Sequence, residues 1–241
     1  MTEKQKLRMV LLLQNECNLA KAKEAYEFVI GNDVEDVPVA TGAVGEHKCN
    51  VPDPRKDGVY LRYSDGHEEW FDGKNKKEDV IGIAVHLGER HTCIAKFDVE
   101  DNDEDDNEFP LLENNDSDTE GDKKAFITSY FDAYNDLDGK KHTESLMRRG
   151  CKIPLAENQY IPSQGEWLLV LMFFKKVQEA LDYACGEMLK DDWYWSSTEY
   201  SSNFAWVVSV SGGYITYNTF TYGGSKTVTN KVRPCLSCEA I

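Results

Sequence analysis

Residues 160–167 read Tyr-Ile-Pro-Ser-Gln-Gly-Glu-Trp and lead into a stretch, 167–185, without Gly or Pro. Ser163 followed three residues later by Glu166 has the spacing of a capping box, in which each side chain binds the other residue's backbone N–H at the start of a helix. Apolar residues then recur at helical spacing, at Trp167, Leu168, Leu171, Phe174, Val177 and Leu181. The pattern predicts a helix over 163–189 with its apolar face in the core.

Two pairs of apolar, β-branched runs precede this helix. Residues 58–63 and 68–71 flank the turn signal Ser-Asp-Gly-His, and residues 80–87 and 91–97 flank Gly-Glu-Arg. Turn residues between runs of strand-forming residues are typical of β-hairpins. We therefore expect an antiparallel sheet that contains two hairpins.

The C-terminal region has a different composition. Between 200 and 230, 17 positions are Ser, Thr, Asn or Gly and 4 are Tyr. Residues 205–210 and 214–217 have strand character and are separated by a Gly-containing turn. Tyr supplies large contact area for little lost side-chain entropy, and small polar residues supply adaptable hydrogen bonds, as in antibody binding loops. We interpret the segment as an exposed recognition surface, with an ordinary β-core as the alternative.

The net charge of −16 comes mainly from one stretch of the chain. Residues 98–122 hold 13 acidic and no basic residues, which predicts a solvent-exposed acidic loop. Residues 116–121 begin like a calcium-binding EF-hand loop, but Ile127 stands where that loop needs a bidentate Glu, which disfavours calcium. No basic stripe is visible, so we expect no nucleic-acid partner.

The sequence proposes no catalytic centre. No G-x-S-x-G, G-x-x-x-x-G-K-[ST] or G-x-G-x-x-G motif occurs, and all five histidines lie before residue 143. Among seven widely spread cysteines, only Cys235 and Cys238 form a C-x-x-C. Reduced, buried thiols are the simplest interpretation, and a redox or zinc pair is the alternative. We expect no catalytic residue, no cofactor and no metal ion.

Residues 2–30 are rich in Leu, Ala, Lys and Glu and contain no Gly or Pro. They predict an N-terminal helix, assigned to residues 1–32, that packs on its own domain or serves docking or oligomerisation. The apolar run 9–13 is too short to span a bilayer or to form a signal-peptide core. We therefore expect no membrane insertion and no export by the general secretory route.

Four motifs follow one another along the C-terminal half. They are the stretch 160–167 quoted above, Tyr-Trp-Ser-Ser-Thr-Glu-Tyr at 194–200, Ala-Trp at 205–206 and Lys-Val-Arg-Pro at 231–234. Together they resemble the C-type-lectin-like domains of gut Bacteroides and their phages. That group includes variable proteins of diversity-generating retroelements and is related in fold to formylglycine-generating enzyme. The resemblance implies an α+β, C-type-lectin-like fold over 55–241 with short antiparallel strands and two helices, preceded by the N-terminal helix.

The resemblance also implies a site, because in that family the segment before Val-Arg-Pro displays ligand-contacting side chains. Carried onto this sequence, the implied contacts are Phe204, Val207, Ser209, Tyr214, Thr216, Tyr217, Thr219, Phe220 and Tyr222. Trp195, Trp206 and Arg233 are implied as framework. The Glu-Pro-Asn and Gln-Pro-Asp tripeptides of calcium-dependent sugar binding are missing, and Cys-Leu-Ser-Cys at 235–238 departs from the usual end of the family.

The family resemblance therefore implies a binding protein whose ligand is a cell-surface protein or glycan. The first hypothesis is a phage or prophage receptor-binding protein in the virion or phage tail, and otherwise in the cytoplasm. Its N-terminal helix would contact a second copy or a virion partner, and multiple copies would add avidity to weak contacts. The alternatives are a bacterial surface adhesin of fixed specificity and an enzyme related to formylglycine generation.

Overall fold

A computed structural model describes residues 56–100, 107–113, 126–210 and 225–237. These residues form two antiparallel sheets and four helices, which confirms the α+β class. In chain order the elements are β1 (Gly58–Tyr63), β2 (Glu68–Trp70), β3 (Val80–Leu87), β4 (Arg90–Ala95), α1 (Tyr130–Asn135), α2 (Gly139–Arg148), β5 (Gln159–Tyr160), α3 (Gln164–Met172), α4 (Phe174–Tyr183), β6 (Trp193–Glu199), β7 (Ala205–Ser209) and β8 (Cys235–Leu236).

The larger sheet has the strand order β2-β1-β3-β4-β8-β5, and β6 pairs with β7 in a separate sheet. Both predicted hairpins are confirmed, since β1 pairs antiparallel with β2 and β3 pairs antiparallel with β4. The second run ends at Ala95, two residues earlier than predicted, and Phe97 beyond it is 52% exposed. Cys235 lies opposite Ile94, so the chain returns near its end to the middle of this sheet.

The predicted helix over 163–189 is two helices that meet at Phe173. All residues of α3 except Met172 are buried, whereas α4 buries only one face. The break at Phe173 separates α3, which contacts β3, β4, β6 and β7, from α4, which covers β1 and β3. An apolar stripe of regular spacing does not record such a break. With α1 and α2, the described residues contain four helices where the resemblance implied two.

The core consists of two main clusters, and α3 belongs to the first. In the first, alternate residues of β1 and β3 face α3 and α4, among them Val59, Leu61, Ile83 and Val85, each at most 2% exposed. The second cluster lies beneath β6 and β7. Its largest members include Trp195, Ile161, Leu146, Leu111, Val207 and Val232.

The stretch 98–122 is only partly the solvent loop predicted from its charge. Asp98 is 7% exposed, and Leu111 and Leu112 are 0% and 3% exposed. The Phe-Pro-Leu-Leu island inside the acidic run joins the second core cluster, because apolar burial there outweighs the charge of its neighbours. Glu100 and Glu113 are exposed and Glu108 is half-buried, and the other acidic residues, at 101–106 and 116–122, lie outside the described residues.

Three predicted features also lie outside the described residues: the helix at 1–32, the strand at 214–217 and Cys238. Within the part of the chain that the structure describes, no helix has the length and apolar character needed to cross a bilayer.

Candidate functional site

The motif at 160–167 forms a complete capping box at the start of α3. Ser163 Oγ accepts the Glu166 N–H at 3.4 Å, and Glu166 Oε2 accepts the Ser163 N–H at 2.6 Å. Tyr160 donates its hydroxyl to Glu166 Oε1 at 2.8 Å. Burial raises the pKa of the Glu166 carboxyl to about 7, since these neutral donors only partly replace the lost water.

Gly165 is required by the close approach of two chain segments. A Cβ at this position would overlap the backbone oxygen of Asp136. That oxygen accepts the Gly165 N–H at 3.0 Å and the Ser163 hydroxyl at 2.6 Å. The glycine therefore joins the start of α3 to the turn at 135–139.

The Ser-Ser-Thr residues at 196–198 are fully buried against the same junction. Thr198 Oγ1 donates to Asp136 Oδ2 at 2.5 Å and accepts the Gln164 N–H at 2.9 Å. The Ser197 N–H donates to the Pro162 carbonyl at 2.8 Å. Two motifs that are distant in sequence thus form one hydrogen-bonded unit.

Three tryptophans donate to backbone carbonyls inside the core. Trp167 Nε1 donates to the Trp195 oxygen at 3.0 Å. Trp195 Nε1 donates to the Phe109 oxygen at 2.6 Å, and Trp206 Nε1 donates to the Ile127 oxygen at 2.7 Å. Each indole is at most 1% exposed, so a lost partner would leave a buried donor unsatisfied. Trp195 and Trp206 are buried as a framework role requires.

Arg233 is a fully buried cation of the Lys-Val-Arg-Pro motif. Its Nε donates to Asp98 Oδ1 at 2.6 Å, and its Nη1 donates to the carbonyl oxygens of Lys96 and Glu187 at 2.8 Å and 2.9 Å. It therefore ties the chain before β8 to the segments that follow β4 and α4. We call the four motifs, residues 160–167, 194–200, 205–206 and 231–234, the framework.

Both ends of the segment 211–224 are attached beside this framework. Before the segment, the Val210 N–H donates to the Asp192 oxygen at 3.0 Å. After it, Ser225 forms an antiparallel bridge with Phe204. The segment itself lies outside the described residues.

A buried ion cluster holds the returning end in place. Lys226 is 0% exposed and forms an ion pair with Glu199 Oε1. Its Nζ also donates to the Ser202 oxygen at 2.7 Å, and Arg149 Nη2 pairs with Glu199 Oε2 at 2.6 Å. Removal of either cation would leave the buried Glu199 carboxylate with one of its two partners.

The structure places three of the nine predicted ligand contacts. Phe204 is 38% exposed, whereas Val207 is 0% and Ser209 is 9% exposed. The prediction for Val207 and Ser209 is corrected, because every residue of β7 is buried and both side chains are withdrawn from the surface. The other six lie outside the described residues: Tyr214, Thr216, Tyr217, Thr219, Phe220 and Tyr222.

Trp193 is an exposed aromatic side chain that the sequence reasoning missed. It lies opposite Ser209 in the β6–β7 pair and is 40% exposed. The sequence signal for this exposure was its position, because Trp193 begins β6 and comes directly before the buried motif at 194–200.

Cys235, one half of the predicted cysteine pair, has an inaccessible thiol. It is fully buried, and its Sγ lies 3.2 Å from Thr92 Oγ1. Burial raises the pKa of this thiol well above its usual value, which makes it a poor nucleophile.

A cluster of four polar side chains lies on the larger sheet, on the face opposite α3. The sequence analysis did not predict this cluster. Glu68 Oε2 lies 2.7 Å from His86 Nε2, and Glu68 Oε1 lies 3.0 Å from His91 Nε2 and 2.9 Å from Arg62 Nη1. We call these four residues the outer-face cluster. The sequence carried part of the signal, since a hairpin whose turn is the two residues 88–89 places His86 opposite His91. The contribution of Glu68 depends on the pairing of β1 with β3, which the local pattern does not reveal.

No protein family and no curated protein matches the chain. Among solved structures, the chain is similar to a fimbrial protein from Bacteroides ovatus ATCC 8483, with 16% identity and a TM-score of 0.42. The similarity covers 76% of this chain and 48% of the fimbrial protein, so the chain spans about half of that protein's length.

Proposed function

We propose that this protein binds a cell-surface protein or glycan through residues 211–224, displayed on a C-type-lectin-like scaffold. The framework is the scaffold, and the segment between its two attached ends supplies the contacts. Phe204 is exposed beside the point where the chain returns at Ser225 and belongs to the same surface.

The contrast between the segment and its flanks carries the proposal. The flanking residues Val210 and Lys226 are 3% and 0% exposed. Between them, residues 211–224 contain four Gly, three Tyr and no charged residue. This composition suits adaptable contact with a ligand.

We propose binding rather than catalysis. The thiol of Cys235 is buried and protonated at neutral pH, so it does not supply a nucleophile. His142 Nε2 lies 3.0 Å from Asp136 Oδ1, whose other oxygen accepts the Thr198 hydroxyl. This histidine therefore supports the junction between the framework motifs.

The binding test uses labelled full-length protein on a panel of bacterial isolates and on a glycan array. We expect the double variant Tyr217→Ala/Tyr222→Ala to bind at least about tenfold more weakly than wild type, because two contact side chains together contribute about 1.4 kcal/mol or more. Its thermal unfolding midpoint should stay that of wild type.

The matched control is Phe97→Ala/Met188→Ala, which removes two side chains that are each 52% exposed and lie outside the framework. This control should bind as wild type does. Undiminished binding by the folded tyrosine variant, or an equal loss in the control, would contradict the proposal.

We further propose that the sequence of residues 211–224 is diversified among related isolates. The protein would then recognise the host-cell receptor of a phage. Sequencing codons 195–235 and the flanking DNA in related isolates tests this point. Substitutions confined to positions that are adenines in a nearby near-copy repeat support it. Uniform codons with no repeat would favour an adhesin of fixed specificity, and the proposed surface would remain.

A further inference from the structure

Three side chains of the outer-face cluster converge at one point. The nearest ligand atoms of Glu68, His86 and His91 all lie within 4.8 Å of one another. Both imidazoles direct Nε2 at the Glu68 carboxylate, at 2.7 Å and 3.0 Å. From this convergence we propose that Glu68, His86 and His91 form a binding site for a divalent transition-metal ion, Zn²⁺ in the first instance.

The sheet fixes the positions of all three residues. His86 and His91 are directly opposite each other in β3 and β4. Glu68 lies on β2, opposite Arg62 of β1. Strand β1 in turn pairs with β3. Because the ligands come from paired strands of one sheet, their backbones need not move to close around an ion.

The separations suit an ion of this size. Zinc binds imidazole nitrogen and carboxylate oxygen at about 2.0–2.2 Å, so two ligand atoms at the tetrahedral angle lie about 3.4 Å apart. The observed 2.7 Å and 3.0 Å between nitrogen and oxygen would open by about 0.7 Å and 0.4 Å, a change that side-chain rotation supplies. Two imidazoles and one carboxylate are typical zinc ligands and leave a fourth position for water.

The surroundings orient the ligands and provide a way in. The His86 ring packs edge-on against Tyr60, with centroids 4.8 Å apart, and lies 4.4 Å from the His91 ring. The side chain of Glu68 is 2% exposed and that of His86 is 11% exposed, while that of His91 is 25% exposed. The ion would therefore enter, and hold its water, on the His91 side.

Arg62 would compete with the metal ion for the Glu68 carboxylate. Its guanidinium keeps the carboxylate ionised, and its Nη1 lies 2.9 Å from Glu68 Oε1. An entering ion has to share this oxygen with the guanidinium. The ion would also fasten the three-residue strand β2 to the β3–β4 hairpin, so binding should stabilise the fold.

Metal titration of the full-length protein tests the site, with Zn²⁺ followed by calorimetry and Co²⁺ by its visible absorption. We expect one ion per chain at this site, nitrogen and oxygen ligation without a thiolate band, and a higher thermal unfolding midpoint with Zn²⁺. Glu68→Gln and His91→Gln should each weaken binding at least tenfold. His67→Gln is the matched control, since this histidine is on the β1–β2 turn outside the cluster, and it should bind as wild type does.

Folding of each variant is checked by circular dichroism, and the Co²⁺ spectrum of wild type gives a result that needs no variant. A thiolate band, no binding by wild type, or unchanged binding in His91→Gln would overturn the proposal. These outcomes leave the tyrosine-segment proposal untouched, because the variants there lie in another part of the chain.

Discussion

Glu166 in the framework and Glu68 in the outer-face cluster both have carboxyl groups shielded from water, yet the pKa values of the two carboxyl groups shift in opposite directions. Glu166 is 3% exposed and accepts hydrogen bonds from the neutral Ser163 N–H and Tyr160 hydroxyl. The Glu68 side chain is 2% exposed and faces Arg62 and two imidazoles. The pKa of Glu166 is raised to about 7 by burial. The pKa of Glu68 is lowered, because hydrogen bonds from His86, His91 and Arg62 outweigh the opposing effect of burial.

The difference shows that the partners of a buried carboxylate, and not its burial alone, decide its charge. The two carboxylates also illustrate two different roles of buried polar side chains. The framework joins distant motifs through hydroxyls, amides and permanently charged side chains. The outer-face cluster uses imidazoles, the commonest metal ligands in proteins.

The largest expected effect comes from Arg233→Met in the framework, which leaves the buried Asp98 carboxylate without its guanidinium partner. Loss of one partner of a buried ion pair costs about 3–5 kcal/mol, so the free energy of unfolding in urea should fall by that amount. The control is Lys176→Met, which removes a pair with Glu179 whose side chains are about half exposed. A surface pair of this kind contributes up to about 1 kcal/mol. A loss below about 1 kcal/mol in Arg233→Met would show that this ion pair does not lock the framework.

The second-largest expected effect is the pH dependence that Glu166 gives to the free energy of unfolding. Its folded-state pKa of about 7 lies above the ordinary 4.5, so the folded protein binds more protons than the unfolded chain between these pH values. This contribution is complete below pH 4.5 and is lost as the pH rises through 7. Its size is on the order of 3 kcal/mol, at about 1.4 kcal/mol per pKa unit. Glu166→Gln should flatten this part of the stability profile, and a variant profile parallel to wild type would refute the assignment.

The smallest effect is that of Glu68→Gln at neutral pH without metal. Charged hydrogen bonds contribute about 1.5–3 kcal/mol each, but the variant retains part of them, so we expect a loss of about 1–2 kcal/mol. Because the folded-state pKa of Glu68 is lowered, its contribution is present above pH 4.5 and is lost as the pH falls below it. The gap between wild type and variant should therefore close in acid. A gap that widens on acidification would mean that the carboxylate is not held by cations.

Local patterns predicted the parts of the fold that depend on neighbouring residues. The capping box of Ser163 and Glu166 and the two hairpins followed from spacing and turn residues, since their contacts are close in sequence. The buried state of β7 also had a signal, because the continuous apolar run at 205–208 is typical of a strand covered on both faces. The resemblance-based assignment of Val207 to the surface overlooked it.

Contacts between distant residues could not be predicted in this way. Thr198 reaches Asp136 across 62 positions, and Glu68 meets His91 across 23. Each contact depends on which strands and turns become neighbours, a choice made by packing of the whole core. The break at Phe173 is similar, because it depends on how much of each helix the fold can bury.

We propose that the framework folds without the side chains of the segment that it displays. The most direct measurement is saturation mutagenesis of residues 193–237 in the full-length protein, with protease resistance of each variant as the measure of folding. We predict that Tyr214, Tyr217, Phe220 and Tyr222 accept most substitutions with no loss of resistance. Substitutions at Trp195, Trp206 and Arg233 should abolish it. Equal intolerance at the tyrosines would make the segment part of the core and contradict a displayed binding surface.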